Sequence, residues 1–102
     1  MANLGLEDDM LLVVAYDVAD DRCRARLHTL LLGYGTAIQE SLFECLVTER
    51  QAGELKRRVA KTTRNTLGAD KVRYYILCGA CAVRIEDGAG RTQILEATVV
   101  VV

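Results

Sequence analysis

Residues 11–27 read LLVVAYDVADDRCRARL, and this stretch predicts a buried strand that leads directly into a helix. The first half is apolar at both alternating sets of positions, so both faces of the strand need to be covered. Asp20 precedes the helical half and is suited to be its N-cap. The strand itself, predicted over residues 10–17, ends in Tyr16 and Asp17. A carboxylate therefore stands at the edge of an otherwise apolar element.

Apolar residues recur at helical spacing after Asp20 and predict a first helix that ends at Gly33 and Gly35. The predicted buried stripe is Cys23, Leu27, Leu30, Leu31 and Tyr34. Residues 36–47 are rich in β-forming residues but are interrupted by the polar sequence QES. This pattern favours two short strands in a tight hairpin over one kinked strand.

A second helix and a further strand follow the hairpin. Thr48 and Gln51 have the spacing of a capping box and predict a helix to about Thr63, with basic residues on its outer face. Residues 72–77 predict a strand that is apolar on both faces. The resulting order β-α-β-β-α-β predicts an α+β fold, the ferredoxin-like βαββαβ sandwich. Because two helices cover only one face of such a sheet, we expect a two-fold homodimer packed sheet to sheet.

The length of 102 residues predicts a single domain. We expect residues 1–9 to be a flexible leader, residues 10–87 to be the ferredoxin-like domain and residues 88–102 to be a C-terminal edge strand. That last strand pairs either within its own chain or across the dimer. The sequence contains neither an apolar run of membrane-spanning length nor a cleavable leader, which predicts a cytoplasmic protein with no membrane partner.

The four cysteines are expected to be reduced in a chain without a secretory leader. Cys23 and Cys45 are interpreted as small buried apolar residues. The C-x-x-C pair of Cys78 and Cys81 is interpreted as a structural turn, with a metal or redox role as the alternative. The sequence that follows, AVRIEDG, has the composition of a strand.

Charge is unevenly distributed although the formal net charge is only −1. Residues 1–21 carry six acids and no base, whereas residues 56–73 carry seven bases and one acid. Such a basic stretch on a helix indicates either a nucleic-acid surface or an ordinary solvated face. The residues predicted to bind nucleic acid are Lys56, Arg57, Arg58, Lys61 and Arg64.

Asp17 has two interpretations. In a two-fold dimer, an Asp17 near the axis meets its own symmetry mate, and two carboxylates form a site suited to Mg²⁺ or Mn²⁺. Such a metal activates water beside a phosphodiester, and the arginines that follow Asp17 can hold phosphates. In the other interpretation, Asp17 only caps the turn into the first helix.

Three stretches occur in order along the chain: LLVVAYDVADDRCRARL, IQESLFEC, and VRYYILCGAC followed by RIE. Over roughly residues 10–87 they strongly resemble the CRISPR-associated protein 2 family, most specifically in AYD and SLFEC. The resemblance implies a ferredoxin-like homodimer that bridges copies of the integrase of the spacer-acquisition complex and holds DNA. It also implies that some members are metal-dependent endonucleases acting on RNA or DNA.

The resemblance further implies site residues. Asp17 is implied to be the metal-binding residue, and the other implied catalytic residues are Tyr16, Arg24, Arg26, Ser41 and Phe43. This chain departs from some nuclease members at Ala37, where they carry a base, and at Glu40, which adds an acid. The sequence thus leaves open a Mg²⁺- or Mn²⁺-dependent endonuclease, a non-catalytic adaptor that bridges integrase subunits and binds duplex DNA through the basic second helix, and a small-ligand regulatory domain of the same fold. Single-stranded RNA is the alternative nucleic-acid partner.

Overall fold

The computed structural model describes residues 9–64, 71–82 and 84–89. In chain order the elements are β1 (Met10–Tyr16), α1 (Asp21–Leu32), β2 (Thr36–Gln39), β3 (Leu42–Val47), α2 (Glu49–Thr63), β4 (Val72–Leu77) and the short helix α3 (Gly79–Ala82). The four strands form one sheet in the order β2-β3-β1-β4, and every neighbouring pair is antiparallel. The predicted α+β fold with ferredoxin-like strand order is confirmed.

The predicted terminal segments lie almost entirely outside the described residues. Of the leader only Asp9 is described, and of the C-terminal segment only Gly88 and Ala89. The leader over residues 1–9 and the edge strand over residues 88–102 therefore stay predictions. Within the described ranges, no helix is both long enough and apolar enough to cross a membrane.

Both long helices begin at the residues that the sequence predicted. The Asp20 carboxylate accepts the backbone N–H of Cys23 at 2.8 Å. Thr48 and Gln51 form the reciprocal capping box: the Thr48 hydroxyl accepts the Gln51 N–H at 3.2 Å, and the Gln51 side chain accepts the Thr48 N–H at 2.9 Å. These caps satisfy backbone donors that lack a partner within the helix, and so they fix where each helix starts.

The hydrophobic core lies between the sheet and the two long helices. The inward residues are Leu12, Val14 and Tyr16 from β1, Phe43, Cys45 and Val47 from β3, Cys23, Leu27 and Leu31 from α1, and Ala52, Leu55 and Val59 from α2. Cys23 and Cys45 are buried, as predicted, with exposures of 2% and 0%. Burial raises the pKa of the Cys45 thiol to about 11, so this thiol stays protonated and packs as an apolar group.

The opposite face of the sheet is covered by neither α1 nor α2, and we call it the open face. It is formed by Val13, Ala15, Leu42, Glu44 and Tyr75, which the strand registers place side by side. The first four are half-buried and Tyr75 is 48% exposed. The prediction that the central strand is apolar on both faces is therefore confirmed.

The prediction of a strand in the sequence AVRIEDG is wrong. Ala82 belongs to α3, and residues 84–89 form turns and irregular chain. The Arg84 N–H donates to the Cys81 carbonyl at 3.0 Å, and the Ile85 N–H donates to the Ala82 carbonyl at 3.2 Å. Because these backbone groups are satisfied within the turn, they are not available to a strand ladder.

Gly35 is required by close packing of the backbone between α1 and β2. A Cβ at this position would lie 2.3 Å from the Glu44 carbonyl oxygen and 2.7 Å from the Cys45 Cα and Sγ atoms. We expect Gly35→Ala to lower the free energy of unfolding by about 1–3 kcal/mol, because the strand must shift to admit the methyl group. Urea unfolding followed by circular dichroism at one fixed protein concentration measures the change.

Gly53→Ala is the matched control. A Cβ on Gly53 would meet only Arg57 Nη1, at 3.5 Å, and alanine in a helix interior is favoured over glycine by about 1 kcal/mol. The control should therefore be neutral or stabilising. Equal losses of stability in the two variants would contradict this account of Gly35.

Candidate functional site

A depression of about 470 Å³ lies at the edge of the open face where β1 ends. Its polar lining residues are Tyr16, Asp17, Gln39, Ser41, Lys71 and Arg73, and its apolar lining residues are Ala15 and Leu42. The depression thus brings together three of the predicted site residues, namely Tyr16, Asp17 and Ser41. The Asp17 side chain is exposed.

Strand pairing explains why these residues meet. Ala15 pairs with Leu42 on one side and with Arg73 on the other, so the end of β1 lies beside the starts of β3 and β4. The Asp17 N–H donates to the Lys71 carbonyl at 2.9 Å, and the Tyr16 N–H donates to the Ser41 carbonyl at 3.0 Å. The backbone around the carboxylate is therefore held on both sides.

Lys71 and Arg73 are the cations of this depression, and the sequence did not place them in the site. In the sequence they belong only to the basic stretch of residues 56–73. In the βαββαβ topology the start of β4 lies beside the end of β1. The predicted topology therefore indicates that Lys71 and Arg73 are near Asp17. No salt bridge joins Asp17 to either cation within the described part of the chain. Both are exposed and available to an anionic ligand.

Tyr16 and Phe43 support the site from the core. The Tyr16 hydroxyl donates to the Glu40 carbonyl at 3.0 Å, which ties the end of β1 to the turn between β2 and β3. Burial is the main cause that raises the pKa of this phenol. Phe43 is 0% exposed; its ring stacks on Tyr16 at 6.4 Å and meets the edge of His28 at 5.2 Å. A fully buried ring can support the position of Tyr16, and the implied catalytic role of Phe43 stays a prediction.

Arg24 and Arg26 do not join Asp17 in the depression. Arg24 Nη1 donates to the Val18 carbonyl at 3.0 Å and to the Ala19 carbonyl at 3.2 Å, and Nη2 pairs with Asp21. Arg24 therefore holds the loop that follows β1. Arg26 is exposed and lies two residues further along the helix, where side chains do not face each other. The structure thus gives the two arginines different surroundings.

Asp17 can supply one ligand to a divalent metal ion, and the other ligands have to come from other groups. The described residues contain no group of three or more His, Cys, Asp or Glu side chains that could hold a metal ion. Mg²⁺ is usually bound through one or two carboxylates, with water and substrate phosphate completing the shell. The Asp17 carboxylate matches that chemistry as one of these ligands.

The outer face of α2 carries the second candidate surface. Arg57, Lys61 and Arg64 follow the i, i+4, i+7 spacing of a helix face and are all exposed, and we call them the α2 stripe. They lie opposite the buried residues Leu55 and Val59. Within the described residues the α2 stripe has no hydrogen bond or ion pair through its side chains.

Lys56 and Arg58 flank the α2 stripe and contact tyrosines. Lys56 Nζ lies 5.3 Å from the centre of the Tyr74 ring, and the Arg58 guanidinium lies 5.7 Å from that of Tyr34. Arg58 also donates to the Tyr34 hydroxyl at 3.0 Å, and that hydroxyl donates to Glu54 at 2.6 Å. The five predicted nucleic-acid residues therefore divide into three cations without such partners and two that pack against aromatic rings.

Comparison with known proteins connects these features to a family. The family model described as CRISPR associated protein Cas2 matches residues 10–85. The chain is 37% identical over 76 residues to CRISPR-associated endoribonuclease Cas2 3 of Synechocystis sp., covering 74% of this chain and 80% of the relative. It is 39% identical over 82 residues to CRISPR-associated endoribonuclease Cas2 of Mycobacterium tuberculosis, covering 80% and 69% of the two chains. It is 41% identical over 73 residues to CRISPR-associated endonuclease Cas2 2 of Thermus thermophilus, covering 72% and 79%.

Solved structures agree with the sequence comparison. Streptococcus pyogenes Cas2 at pH 6.5 superposes with a TM-score of 0.63 and 26% identity, covering 76% of this chain and 98% of that one. A chain of a partial Cas6-RT-Cas1–Cas2 complex superposes with a TM-score of 0.70 and 25% identity, covering 81% and 88%. The family model spans most of the domain, and these relatives are identical to this chain at more than a third of the aligned positions. This chain therefore belongs to the CRISPR-associated protein Cas2 family.

Proposed function

We propose that this protein is a homodimeric, nucleic-acid-binding adaptor of CRISPR spacer acquisition that bridges copies of the integrase. The α2 stripe is the observation that carries the proposal. Arg57, Lys61 and Arg64 are exposed cations without polar partners among the described side chains. Lysine and arginine side chains on a helix exterior bind the phosphate backbone without reading the base sequence.

The open face supports the proposed dimer. Val13, Ala15 and Leu42 form an apolar surface with Tyr75, and neither of the long helices α1 and α2 lies across it. Burial already raises the pKa of the Glu44 carboxyl on this face. A second copy packed on the open face would remove this apolar surface from water, which is the main driving force of protein association.

The proposed dimer leaves the α2 stripe available for nucleic acid. The stripe points away from the sheet, whereas the open face is on the other side of the sheet. A dimer through the open face therefore presents two α2 stripes on its outer surfaces. A two-fold dimer also presents two identical surfaces to a partner, which suits bridging of two integrase copies. The likeness to a chain of a Cas6-RT-Cas1–Cas2 complex supports this role.

A metal-dependent endonuclease is the second candidate function, and the depression around Asp17 favours it. The depression lies at the edge of the open face, so dimerisation would bring material of the second copy beside Asp17. The carboxylates of Asp17 from both copies would hold Mg²⁺ or Mn²⁺. When bound, such a metal supplies an activated water and offsets phosphate charge. The names endoribonuclease and endonuclease of the relatives support this candidate.

The remaining residues of the depression would then position the nucleic acid. Lys71 and Arg73 are exposed cations beside Asp17 and would hold phosphates of the strand. The Ser41 hydroxyl lines the same depression and can donate to a phosphate oxygen. Tyr16 keeps the turn between β2 and β3 in place through Glu40. Arg24 fixes the loop after Asp17 and acts as a positioning residue.

The dimer is tested by mass measurement in solution. We expect light scattering at micromolar concentration to give twice the chain mass of 11.2 kDa. Val13→Asp places a charge in the middle of the open face and should shift the protein to monomer. Leu32→Asp is the matched control, because Leu32 is an exposed leucine on α1, 53% exposed, away from the open face. A parent protein that is monomeric throughout would refute the dimer.

The α2 stripe is tested by the salt dependence of binding to a short duplex DNA of arbitrary sequence. Each lost phosphate contact should make the slope of log affinity against log salt shallower by about 0.9. We expect Lys61→Gln/Arg64→Gln to flatten the slope by up to about twice that value. Arg22→Gln/Arg84→Gln removes the same charge from exposed positions elsewhere and should change the slope little. Equal slopes in the two variants would place the nucleic-acid surface outside α2.

The endonuclease candidate is tested by Asp17→Asn. This change keeps the shape of the side chain but removes its charge, so Mg²⁺- or Mn²⁺-stimulated cleavage of RNA or DNA should be lost. The dimer mass and DNA affinity should be unchanged. Glu40→Gln, which neutralises an exposed carboxyl in the adjacent turn, is the control and should retain any cleavage. If Asp17→Asn cleaves as fast as the parent, the catalytic role of Asp17 is wrong, while the adaptor role still stands.

A further inference from the structure

The proposed function makes no use of the pair Cys78 and Cys81, although both side chains are exposed. Cys23 and Cys45 are buried in the core, and all four cysteines are free thiols. A reagent in solution therefore reaches Cys78 and Cys81 in the folded chain but not the other two. This difference in access makes the exposed pair chemically distinct.

One helical turn holds the two exposed cysteines close together. Cys78 follows the last residue of β4, and Cys81 lies within α3. The Cys78 carbonyl accepts the N–H of Cys81 at 3.0 Å and the N–H of Ala82 at 2.8 Å. Residues three apart on such a turn have Cβ atoms about 5–6 Å apart, and a disulfide requires about 3.5–4.5 Å. A small adjustment of the turn is enough to bring the two sulfurs into bonding distance.

The surroundings of the two sulfurs give them different reactivity. The Cys81 backbone N–H is the main cause that lowers the pKa of the Cys78 thiol, and a hydrogen bond with the Cys81 side chain adds to it. The same side-chain hydrogen bond raises the pKa of Cys81. The thiolate is the reactive form, so Cys78 is suited to attack first and Cys81 to act second.

A structural zinc site is not supported by the neighbours of the pair. Structural zinc takes four protein ligands. In the part of the chain that the structure describes, no third His, Cys, Asp or Glu side chain joins Cys78 and Cys81 in a potential metal-binding group. The pair supplies only two of the four ligands, which leaves thiol chemistry as the better use of these residues.

We propose that Cys78 and Cys81 form a reversible dithiol–disulfide couple that exchanges with small disulfides such as oxidised glutathione. The Cys78 thiolate attacks one sulfur of the disulfide, which forms a mixed disulfide and releases the first thiolate. The Cys81 thiolate then attacks the Cys78 sulfur and releases the second thiolate. The protein gives up two electrons and two protons, and the glutathione disulfide becomes two thiols.

The couple lies next to the sheet, so its redox state would affect the conformation of the chain that follows β4. α3 packs against β1 and β4, and Ala82 at its end is buried. The turn formed by residues 84–89 continues directly from α3 through the Arg84 N–H bond to the Cys81 carbonyl. Closing the disulfide therefore fixes the turn through which the chain leaves β4. The closed loop is very short, so we expect little change in thermal stability.

The couple is tested with the full-length chain in glutathione buffers of stepwise increasing oxidised fraction. Free thiols are trapped with N-ethylmaleimide after an acid quench and counted by intact mass. We expect the oxidised protein to have two fewer thiols that N-ethylmaleimide can alkylate. Apart from the missing adducts, the mass of the chain should be lower by two hydrogens and should include no glutathione. Peptide mapping should place the bridge between Cys78 and Cys81, and excess reduced glutathione should restore both thiols.

Single substitutions separate the two steps. Cys81→Ser removes the second thiol, so Cys78 should remain as a mixed disulfide with one glutathione. Cys78→Ser/Cys81→Ser should not be oxidised at any ratio, while its circular dichroism spectrum matches that of the parent. Two glutathiones on one chain, a bridge between chains, or a pair that stays reduced at every ratio would overturn the proposal. None of these readouts depends on DNA binding or on cleavage.

Discussion

The pairing of β1 on both edges is the constraint on which the rest of the structure depends. β1 bonds to β3 on one side and to β4 on the other, and its even-numbered residues fill the core. The odd-numbered Val13 and Ala15 then necessarily lie on the open face, because successive side chains of a strand alternate. The same pairing that builds the core thus creates an apolar face that the chain covers with neither of its two long helices.

The chemistry of the depression follows from where the pairing stops. At the end of β1 the chain must leave the sheet, and the N–H of Asp17 bonds to the Lys71 carbonyl at the start of β4. This contact brings one acid and the cations Lys71 and Arg73 to a single edge. Tyr16 and Phe43 pack in the core beneath that edge, and Tyr16 also donates to the Glu40 carbonyl. The exposed polar residues are therefore supported by a packed apolar layer.

The two charged surfaces differ in the ligand that they suit, and they lie on different parts of the molecule. The α2 stripe is broad, exposed and basic, which suits a long phosphate backbone held without sequence preference. The depression is small and combines a carboxylate with cations, which suits one phosphodiester. Binding and cleavage therefore need not involve the same residues, and an adaptor that retains Asp17 without cutting is compatible with this arrangement.

Local patterns in the sequence were sufficient for the four strands, the two long helices with their caps, and the burial of Cys45, but they failed for the sequence AVRIEDG. Alternation, helical spacing and capping pairs act between residues close in the chain, so they can be read without the fold. Long-range packing decided the rest. The strand register placed Lys71 and Arg73 beside Asp17, and the core enclosed Phe43. The Arg24 guanidinium donates to two carbonyls of the loop after β1, and spacing along a helix does not predict these hydrogen bonds. Such contacts join residues distant in sequence, and their energies depend on register and burial that no local pattern encodes.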